Sequence, residues 1–171
     1  MDAEQLRELQ APLKAQYKDE PDAARIVLRA SGTLGEDGVS CKVETGKAMV
    51  EAGLHPATGG SGMQACSGDM LLEALVACAG VTLKAVATAI GVNLRGGKVS
   101  AQGMLDFRGT LGVDKQAPVG FEDIKLHFDL DTDADEEQLN TLIKLTERYC
   151  VIYQTLSNPP PVDVSRAVNG G

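Results

Sequence analysis

The segment LLEALVACAGVTLKAVA, residues 71–87, most constrains the fold of this chain, because nearly all of its side chains are small or apolar. On a helix with about 100° between successive residues, one stripe carries Leu71, Leu75, Cys78, Thr82, Ala85 and Ala89. Glu73 and Lys84 share a second stripe, about 140° from Cys78. The pattern therefore predicts a helix that is buried around most of its circumference.

The predicted helix begins near Ser67 or Asp69 and ends near Gly91. A carboxylate in the first turn accepts free backbone N–H groups and meets the positive end of the helix dipole, which suits Asp69. The stretch 71–92 approaches the length of a membrane span, but two charged side chains interrupt it and Gly, Ala and Thr dilute it. The pattern therefore predicts a helix of a soluble protein, with no membrane partner.

A single small sheet cannot cover a helix that is apolar on so many sides. The simplest solution is a second copy of the chain, with the two central helices packed against each other. Ala74, Ala77 and Gly80 are small enough to allow this approach. The sequence thus predicts a homodimer formed through residues 68–90.

The remaining segments predict an α+β fold, in which strands, a helix, strands, a second helix and a final strand follow one another. Period-two alternation and stretches rich in Gly and Pro set the boundaries. The predicted elements are an amphipathic helix over 2–20, two strands over 24–46 that form a hairpin at 35–38, a third strand over 47–53, a loop over 54–68, strands over 98–112 and 121–131, a helix over 133–150 with a helical turn after it, and a strand over 162–168. We divide the chain into an N-terminal helical extension, residues 1–24, and one domain, residues 25–171.

Composition narrows the class of protein. The formal net charge of −8 argues against nucleic acid or an anionic membrane as partner, because both require a basic face. No basic start is joined to an apolar run and a cleavage site, so we predict no signal peptide and a cytoplasmic location. The four cysteines are scattered and the two histidines lack the spacing of a zinc site, which predicts reduced thiols, no metal and no cofactor.

The residues alone leave two interpretations of Cys78. Free cysteine is commonly a small core hydrophobe, and a buried thiol reacts poorly unless a cation or dipole stabilises its thiolate. Cys78 lies in the middle of the predicted helix, where the N-terminus of that helix offers little, so a nearby arginine would be needed. Cys78 is thus either core filling, the commoner fate, or a nucleophile in a dry pocket.

Two segments together carry a resemblance to a known family. The first, GGSGMQACSGDMLLEALVACAGVTLKAVA, leads from a Gly-rich loop into the helix with Cys78, and the second, LTERYCVIYQTL, places Cys150 at the end of the next long helix. In these contexts and in this order, the cysteines resemble those of the OsmC/Ohr family, the osmotically inducible and organic hydroperoxide resistance proteins. The resemblance covers residues 25–168. It implies an OsmC-like fold with antiparallel sheets packed around a long buried central helix, in an intertwined dimer.

The resemblance also implies a chemistry. Cys78, as a thiolate, would attack the peroxide O–O bond and become a sulfenic acid, and Cys150 would condense with it to a disulfide that a dithiol reduces. Apolar walls would favour bulky organic hydroperoxides over hydrogen peroxide, because a hydrocarbon tail gains free energy on leaving water. The implied partners are an organic hydroperoxide or other small apolar ligand, and a dithiol reductant.

This chain departs from the family pattern around the central cysteine. Asp69 stands where the family usually has Glu, and Glu36, in the predicted hairpin turn TLGEDG, stands where the organic hydroperoxide branch has an activating Arg. We expect Arg29 to replace that arginine, with Arg25 and Arg108 as alternatives on predicted strands. The pattern is closer to the OsmC-like members than to the organic hydroperoxide enzymes.

The other cysteines and the histidines have weaker claims to a role. Cys66, just before the central helix, is an incidental loop thiol or a redox thiol favoured by the helix N-terminus. Cys41 alternates along a strand and is predicted to be structural. A cysteine–histidine hydrolase would need His55 or His127 within hydrogen-bond reach of the thiol, and nothing in the sequence places either one there.

Two further expectations concern the pocket. The mobile Gly-rich loop, residues 55–66, should border the entrance to the thiol pocket, with His55 at that entrance. The main alternative to a peroxidase is a non-enzymatic protein of the same fold that binds a small apolar ligand. In that case Cys78 is packing or a weak redox sensor.

Overall fold

The computed structural model describes residues 2–5, 8, 10–11, 31–34, 40–44, 49–112 and 114–168. Within these residues, a three-stranded and a two-stranded antiparallel sheet accompany one long central helix. The predicted α+β fold class is confirmed.

The N-terminal segment begins with a capping box. The N–H of Asp2 donates to Gln5 Oε1 at 3.1 Å, and the N–H of Gln5 donates to Asp2 Oδ1 at 2.9 Å. The helical residues that follow are 3–5, 8, 10 and 11. The rest of the helix predicted over 2–20, and the boundary predicted after residue 24, lie outside the described residues.

The first sheet consists of three short strands. β1 (Ser31–Leu34), β2 (Ser40–Glu44) and β3 (Met49–Gly53) pair antiparallel in that order. The β1–β2 pairing confirms the predicted hairpin, whose turn at 35–38 lies outside the described residues. The predicted third strand is confirmed as well.

The central helix, α1 (Ser67–Ile90), is the longest of the described elements and confirms the helix predicted from the apolar stretch. Asp69 lies in its first turn. Gly91 ends the helix with a φ of 76°, a left-handed conformation that glycine adopts without strain. Both predicted ends of the helix are thereby confirmed.

The second sheet is one long antiparallel pair, in which β4 (Leu94–Met104) pairs with β5 (Asp123–Thr132). Along β5 the side chains alternate between exposed and half-buried, and the half-buried ones are Ile124, Leu126, Phe128, Leu130 and Thr132. Phe128 and Leu130 pack against the core beside α1. The alternation predicted for this strand therefore gives the sheet one apolar face.

The strand predicted over 98–112 is too long. β4 stops at Met104, and the chain then forms a single helical turn, α2 (Phe107–Thr110). The carboxylate of Asp106 accepts a hydrogen bond from the N–H of Arg108 at 3.0 Å and caps this turn. Aspartate favours helix N-caps and is depleted in strands, which explains the early end of β4.

Two helices follow the second sheet. α3 (Glu136–Tyr149) confirms the second predicted helix and starts with a capping box between Asp135 and Gln138. Cys150 then adopts an extended conformation, with φ −74° and ψ 109°, and separates α3 from α4 (Val151–Ser157). The unpaired N–H groups of the first turn of α4 therefore follow directly after Cys150.

The strand predicted over 162–168 is wrong. Residues 159–168 form neither helix nor strand, and Val162 and Val164 are 84% and 92% exposed. Alternating valines favour a strand only where a neighbouring strand supplies hydrogen bonds and a surface to pack against. No strand in the described part of this chain pairs with the segment. The prolines at 159–161 also lack the N–H donors that a strand needs.

The hydrophobic core lies on one side of α1. Its buried centre consists of Leu83, Val86, Ala87, Val92 and Leu142. On this side α1 contacts β4, α3 and α4. The opposite side is open within one chain, where Ala74, Ala77 and Val81 are exposed. The expectation of burial around most of the helix is therefore met on one side only, and the open side remains apolar.

By length and composition α1 could also cross a membrane, a property that core helices of soluble proteins share. Glu73 and Lys84 are both exposed on the helix. A lipid environment would have to accommodate these two charges, at considerable cost.

Candidate active site

Cys78 lies at the boundary between the buried and the open side of α1. Ala79, the next residue, is completely buried, whereas Ala77, the residue before it, is exposed. The side chain of Cys78 is half-buried and its thiol is free. Cys78 therefore lies where the buried side of α1 meets the open side.

Cys150 lies against Cys78, although the second sheet and α3 separate them along the chain. Its side chain is 1% exposed, and its thiol is one of the groups that lower the pKa of Cys78. The N–H of Cys150 donates to the carbonyl of Thr146, and the carbonyl of Cys150 accepts from the N–H of Gln154, both at 2.9 Å. These bonds fix Cys150 between α3 and α4. The structure thus brings together the two cysteines to which the resemblance assigns the redox roles.

Hydrogen bonds hold the pKa of Cys78 below its ordinary value. Burial of the sulfur raises the pKa, because the charged form loses contact with water. Four donors together outweigh burial: first the N–H of Ile152, then the Cys150 thiol, the N–H of Val151 and the hydroxyl of Thr82. Both N–H groups belong to the first turn of α4, where no carbonyl of that helix accepts them. Within the described chain, neutral donors therefore stabilise the Cys78 thiolate.

The same surroundings raise the pKa of Cys150. Burial contributes most, and the hydrogen bond and the charge of the Cys78 thiolate add to it, because a second anion beside the first is unfavourable. The N–H groups of Tyr153 and Ile152 oppose this shift without cancelling it. The pair is therefore asymmetric: Cys78 loses its proton before Cys150 does.

The described donors to Cys78 include groups that the sequence did not indicate. The sequence predicts an arginine, because Cys78 is far from the N-terminus of its own helix. The structure provides the N-terminus of another helix, α4, which no local pattern places beside Cys78. The proximity of Thr82 to Cys78 could be predicted from the sequence, since residues four apart on a helix are neighbours.

The predicted acid does not enter the described site. Asp69 is exposed in the first turn of α1, about 13 Å along the helix axis from Cys78 at 1.5 Å per residue. It is not among the groups that bond Cys78. Arg29, Arg25 and Glu36 lie outside the described residues, so the role of Arg29 stays a prediction.

Arg108 is placed differently from its prediction. It lies on α2 and not on a strand, and its guanidinium forms ion pairs with Asp106 and, at 3.6 Å, with Asp114. Its side chain is 62% exposed. These two carboxylates occupy Arg108, and it is not among the groups that act on Cys78.

The Gly-rich loop borders a groove of about 410 Å³ that contains a different cysteine. Its lining includes Leu54, His55, Cys66, Leu71, Phe107 and Phe121. Cys78 does not line it, and Leu71 lies two turns earlier on α1. Within the chain, the loop thus borders a groove at Cys66, not the entrance to a pocket at Cys78 as expected.

The described histidines do not form a cysteine–histidine pair with Cys78. His55 Nδ1 accepts a hydrogen bond from the N–H of Ala57 at 3.0 Å, and its ring stacks on Phe107 with centroids 4.9 Å apart. His127 is exposed on β5. Neither histidine is among the groups that bond Cys78, so the geometry gives no support to a hydrolase.

A larger groove, of about 640 Å³, lies between β5 and the helices α3 and α4. Leu75, three residues before Cys78, and Tyr153, three residues after Cys150, both line it. Its apolar lining also includes Phe121, Ile124, Leu126, Phe128, Ile143 and Leu156. Its volume falls in the range of small-molecule sites, and the cysteines themselves do not line it.

The acidic residues at 131–137 have structural roles, as ion-pair partners and as a helix cap. Arg95 forms ion pairs with Asp131 at 2.7 Å and with Asp133 at 3.3 Å, and Asp135 caps α3. Across the described residues, no group of three or more His, Cys, Asp or Glu side chains is placed to hold a metal ion.

We expect iodoacetamide to alkylate Cys78 at lower pH than Cys150, with about a tenfold difference in rate at neutral pH, because only the thiolate reacts. The lowered folded-state pKa of Cys78 stabilises the fold fully above the unfolded pKa, and this contribution is lost as pH falls through the folded pKa. The raised pKa of Cys150 has the opposite effect: its contribution to stability is full below the unfolded pKa and is lost as pH rises through the folded pKa.

Peptide mass spectrometry over a pH series measures the alkylation rates of Cys78 and Cys150.

Protein unfolded in urea serves as the control, since the two thiols should then react at similar rates. Equal rates in the folded protein, or faster reaction at Cys150, would contradict the asymmetry.

Comparison with known proteins supports a family assignment. The family model for OsmC-like protein matches residues 59–165, which include both Cys78 and Cys150. No curated protein matches the chain in sequence.

Solved structures share the fold at low sequence identity. An OsmC-like protein from Mycoplasma pneumoniae is 17% identical, with a TM-score of 0.65 over 78% of this chain and 89% of the other. A Legionella pneumophila protein described as an organic hydroperoxide resistance protein OsmC is 16% identical, with a TM-score of 0.61 over 79% of this chain and 92% of the other. A candidate organic hydroperoxide resistance protein from Vibrio cholerae, with captopril bound in one of its active sites, is 18% identical, with a TM-score of 0.54 over 80% and 89%.

Proposed function

The chain belongs to the OsmC-like protein family, and on that premise we propose that it is a thiol-dependent peroxidase that reduces organic hydroperoxides. The observation that carries this proposal is the pair of adjacent free cysteines with pKa values shifted in opposite directions. A nucleophilic thiol needs a stabilised thiolate, and a resolving thiol must be within reach of it. Cys78 and Cys150 meet these two requirements.

The proposed reaction balances with a dithiol as the only co-reactant. The Cys78 thiolate attacks the terminal peroxide oxygen, the O–O bond breaks, and the alkoxide leaves as an alcohol after taking up a proton. The resulting Cys78 sulfenic acid condenses with the Cys150 thiol, forming an S–S bond and releasing water. A dithiol then reduces the disulfide and is itself oxidised. Arg29 and Asp69, the predicted helpers of Cys78, stay predictions in this scheme.

The surroundings of the pair favour a substrate with an apolar part. The groove lined by Leu75 and Tyr153 offers a hydrocarbon tail an apolar surface. The Vibrio cholerae protein of the same fold holds a small organic molecule, captopril, in an active site. We propose a reducing compartment such as the cytoplasm, where Cys78 and Cys150 would be kept as thiols.

The proposal predicts that the purified protein consumes cumene hydroperoxide in the presence of dithiothreitol, at least about tenfold faster than hydrogen peroxide at equal concentration. Each buried CH₂ contributes about 0.8 kcal/mol, so a few of them suffice for this preference. A stopped assay of residual peroxide measures both rates. Protein whose thiols have been alkylated serves as the control, and consumption that survives alkylation would contradict a thiol mechanism.

One observation favours a second candidate, a non-enzymatic protein that binds a small apolar ligand. The groove of about 640 Å³ combines apolar side chains with the charged Glu122, Asp123, Lys125 and Glu147, and it does not include either cysteine of the pair. A ligand in this groove would contact Leu75 and Tyr153 without reacting. Saturable binding of cumyl alcohol, together with no consumption of cumene hydroperoxide, would favour this candidate.

We also propose that the protein is a homodimer formed through α1, because the open side of this helix exposes Ala74, Ala77 and Val81. Val81, at 73% exposed, is the largest of these side chains, and a charge there would face its own copy. We expect sedimentation to show a dimer at micromolar concentration for the wild type and a monomer for Val81→Glu. Leu111→Glu, at an exposed apolar residue that is not part of α1, should stay dimeric, and a stable wild-type monomer would rule the dimer out.

A further inference from the structure

The groove of about 640 Å³ combines an apolar lining with an unequal set of charges. Its apolar side chains come from α1, β5, α3 and α4. Three carboxylates and one ammonium group also line it, and these belong to Glu122, Asp123, Glu147 and Lys125. The apolar surface suits a hydrocarbon body, and the net negative charge suits a cation.

The charges of this groove are not equally compensated. Lys125 pairs with Asp123 at 3.6 Å, and its side chain is 71% exposed. Glu122 is exposed and interacts with the guanidinium of Arg108. Glu147 is half-buried, and none of the ion pairs between described residues includes it. Within the described part of the chain, the charge of Glu147 is therefore left without a cation.

The position of Glu147 makes a lone negative charge more unfavourable. It lies in the last turn of α3, which ends at Tyr149, and the negative end of the helix dipole disfavours an anion there. Partial burial adds to this cost, because the carboxylate loses part of its contact with water. A cation bound in the groove would reduce both costs.

We propose that this groove binds a small amphiphilic cation, a ligand with a hydrocarbon body and one ammonium group, and that the Glu147 carboxylate accepts hydrogen bonds from that ammonium group. An ammonium group has three donors and no acceptor, and the lining also contains the hydroxyl groups of Tyr153 and Ser157. An anionic amphiphile such as a fatty acid would be disfavoured, because its carboxylate would add a further negative charge beside Glu147. This binding goes beyond the proposed function, since it needs neither thiol of the pair.

The test compares hexylammonium, hexanol and hexanoate, which share one hydrocarbon chain and differ in the charge of the head group at neutral pH. We expect titration calorimetry to give hexylammonium a Kd at least about tenfold below that of hexanol, with hexanoate the weakest ligand. Glu147→Gln keeps the shape and removes the charge, so it should abolish the preference for hexylammonium over hexanol. Glu147→Lys should make hexanoate the tightest ligand.

Glu136→Gln is the matched control, because Glu136 is an exposed residue of α3 that does not line the groove. It should keep the preference of the wild type. Circular dichroism shows that each variant is folded, and Glu147→Gln should be at least as stable as the wild type, since it removes an uncompensated charge.

Equal affinity of the wild type for the three probes would overturn the proposal, as would a full preference for hexylammonium in Glu147→Gln. Equal losses in Glu147→Gln and Glu136→Gln would also overturn it, because the net charge of −8 and not the groove would then attract the cation. The probes contain no peroxide bond, so the result is independent of the proposed function. Binding of hexylammonium without consumption of cumene hydroperoxide would leave this site in place and contradict the peroxidase alone.

Discussion

Replacement of Cys78 by serine is expected to abolish the consumption of organic hydroperoxide while leaving the protein folded. The hydroxyl of serine stays protonated at neutral pH and is a poor nucleophile, so the rate should fall to that of the uncatalysed reaction, a loss of about a thousandfold or more. Cys78 is half-buried and serine is slightly smaller, so the fold should tolerate the change. The measurements are peroxide consumption with dithiothreitol and circular dichroism on the same sample.

Cys66→Ser is the matched control for this change. Cys66 is the N-cap residue of α1 and its side chain makes no capping hydrogen bond, whereas serine is a favoured N-cap. The variant should therefore keep full activity and equal or slightly higher stability. Retained activity in Cys78→Ser, or lost activity in Cys66→Ser, would mean that Cys78 is core filling and that the reactive thiol lies elsewhere.

Replacement of Cys150 by serine is expected to separate the first chemical step from the recycling step. Cys78 should still be oxidised once, but its sulfenic acid has no thiol partner beside it, so turnover should fall about a hundredfold or more. Treatment with one equivalent of cumene hydroperoxide, followed by dimedone, should trap the sulfenic acid on Cys78. Mass spectrometry of the wild type under the same conditions should instead find a disulfide between Cys78 and Cys150.

The doubly substituted variant Cys41→Ser, Cys66→Ser keeps the proposed pair and should form the same disulfide as the wild type. Wild-type protein in which both proposed thiols stay reduced after this treatment would contradict the peroxidase assignment. A disulfide between Cys41 and Cys66 in its place would contradict the peroxidase assignment as well, and Cys78 would then be core filling.

Elements whose pattern is local could be read from the sequence. The central helix was fixed by the apolar run, by Asp69 in its first turn and by Gly91 at its end, all within one continuous segment. The strand β5 was readable for a similar reason, since its alternation needs only its own residues. Local propensity and hydrophobic period act over a few residues, so a single segment contains the whole signal.

Elements that depend on a neighbour were misread. The valines at 162–168 have the alternation of a strand, yet no described strand pairs with them and they are exposed. Asp106 ended β4 early, because its capping bond to Arg108 stabilised a helical turn in place of further strand. In both cases the outcome followed from which partner the backbone found, and a propensity cannot contain that information.

Some features of the candidate site could likewise be predicted from local sequence, whereas others depend on tertiary contacts. The sequence supplied the two cysteines and, through helical spacing, the neighbourhood of Cys78 and Thr82. Only the tertiary structure placed Cys150 and the N–H groups of Val151 and Ile152 against the Cys78 sulfur. The packing of α4 on α1 decides this, and it depends on contacts between segments that the second sheet and α3 separate along the chain. Thiolate stability is set by the donors around the sulfur, and the donors at Cys150, Val151 and Ile152 are neighbours of Cys78 in space but not in sequence.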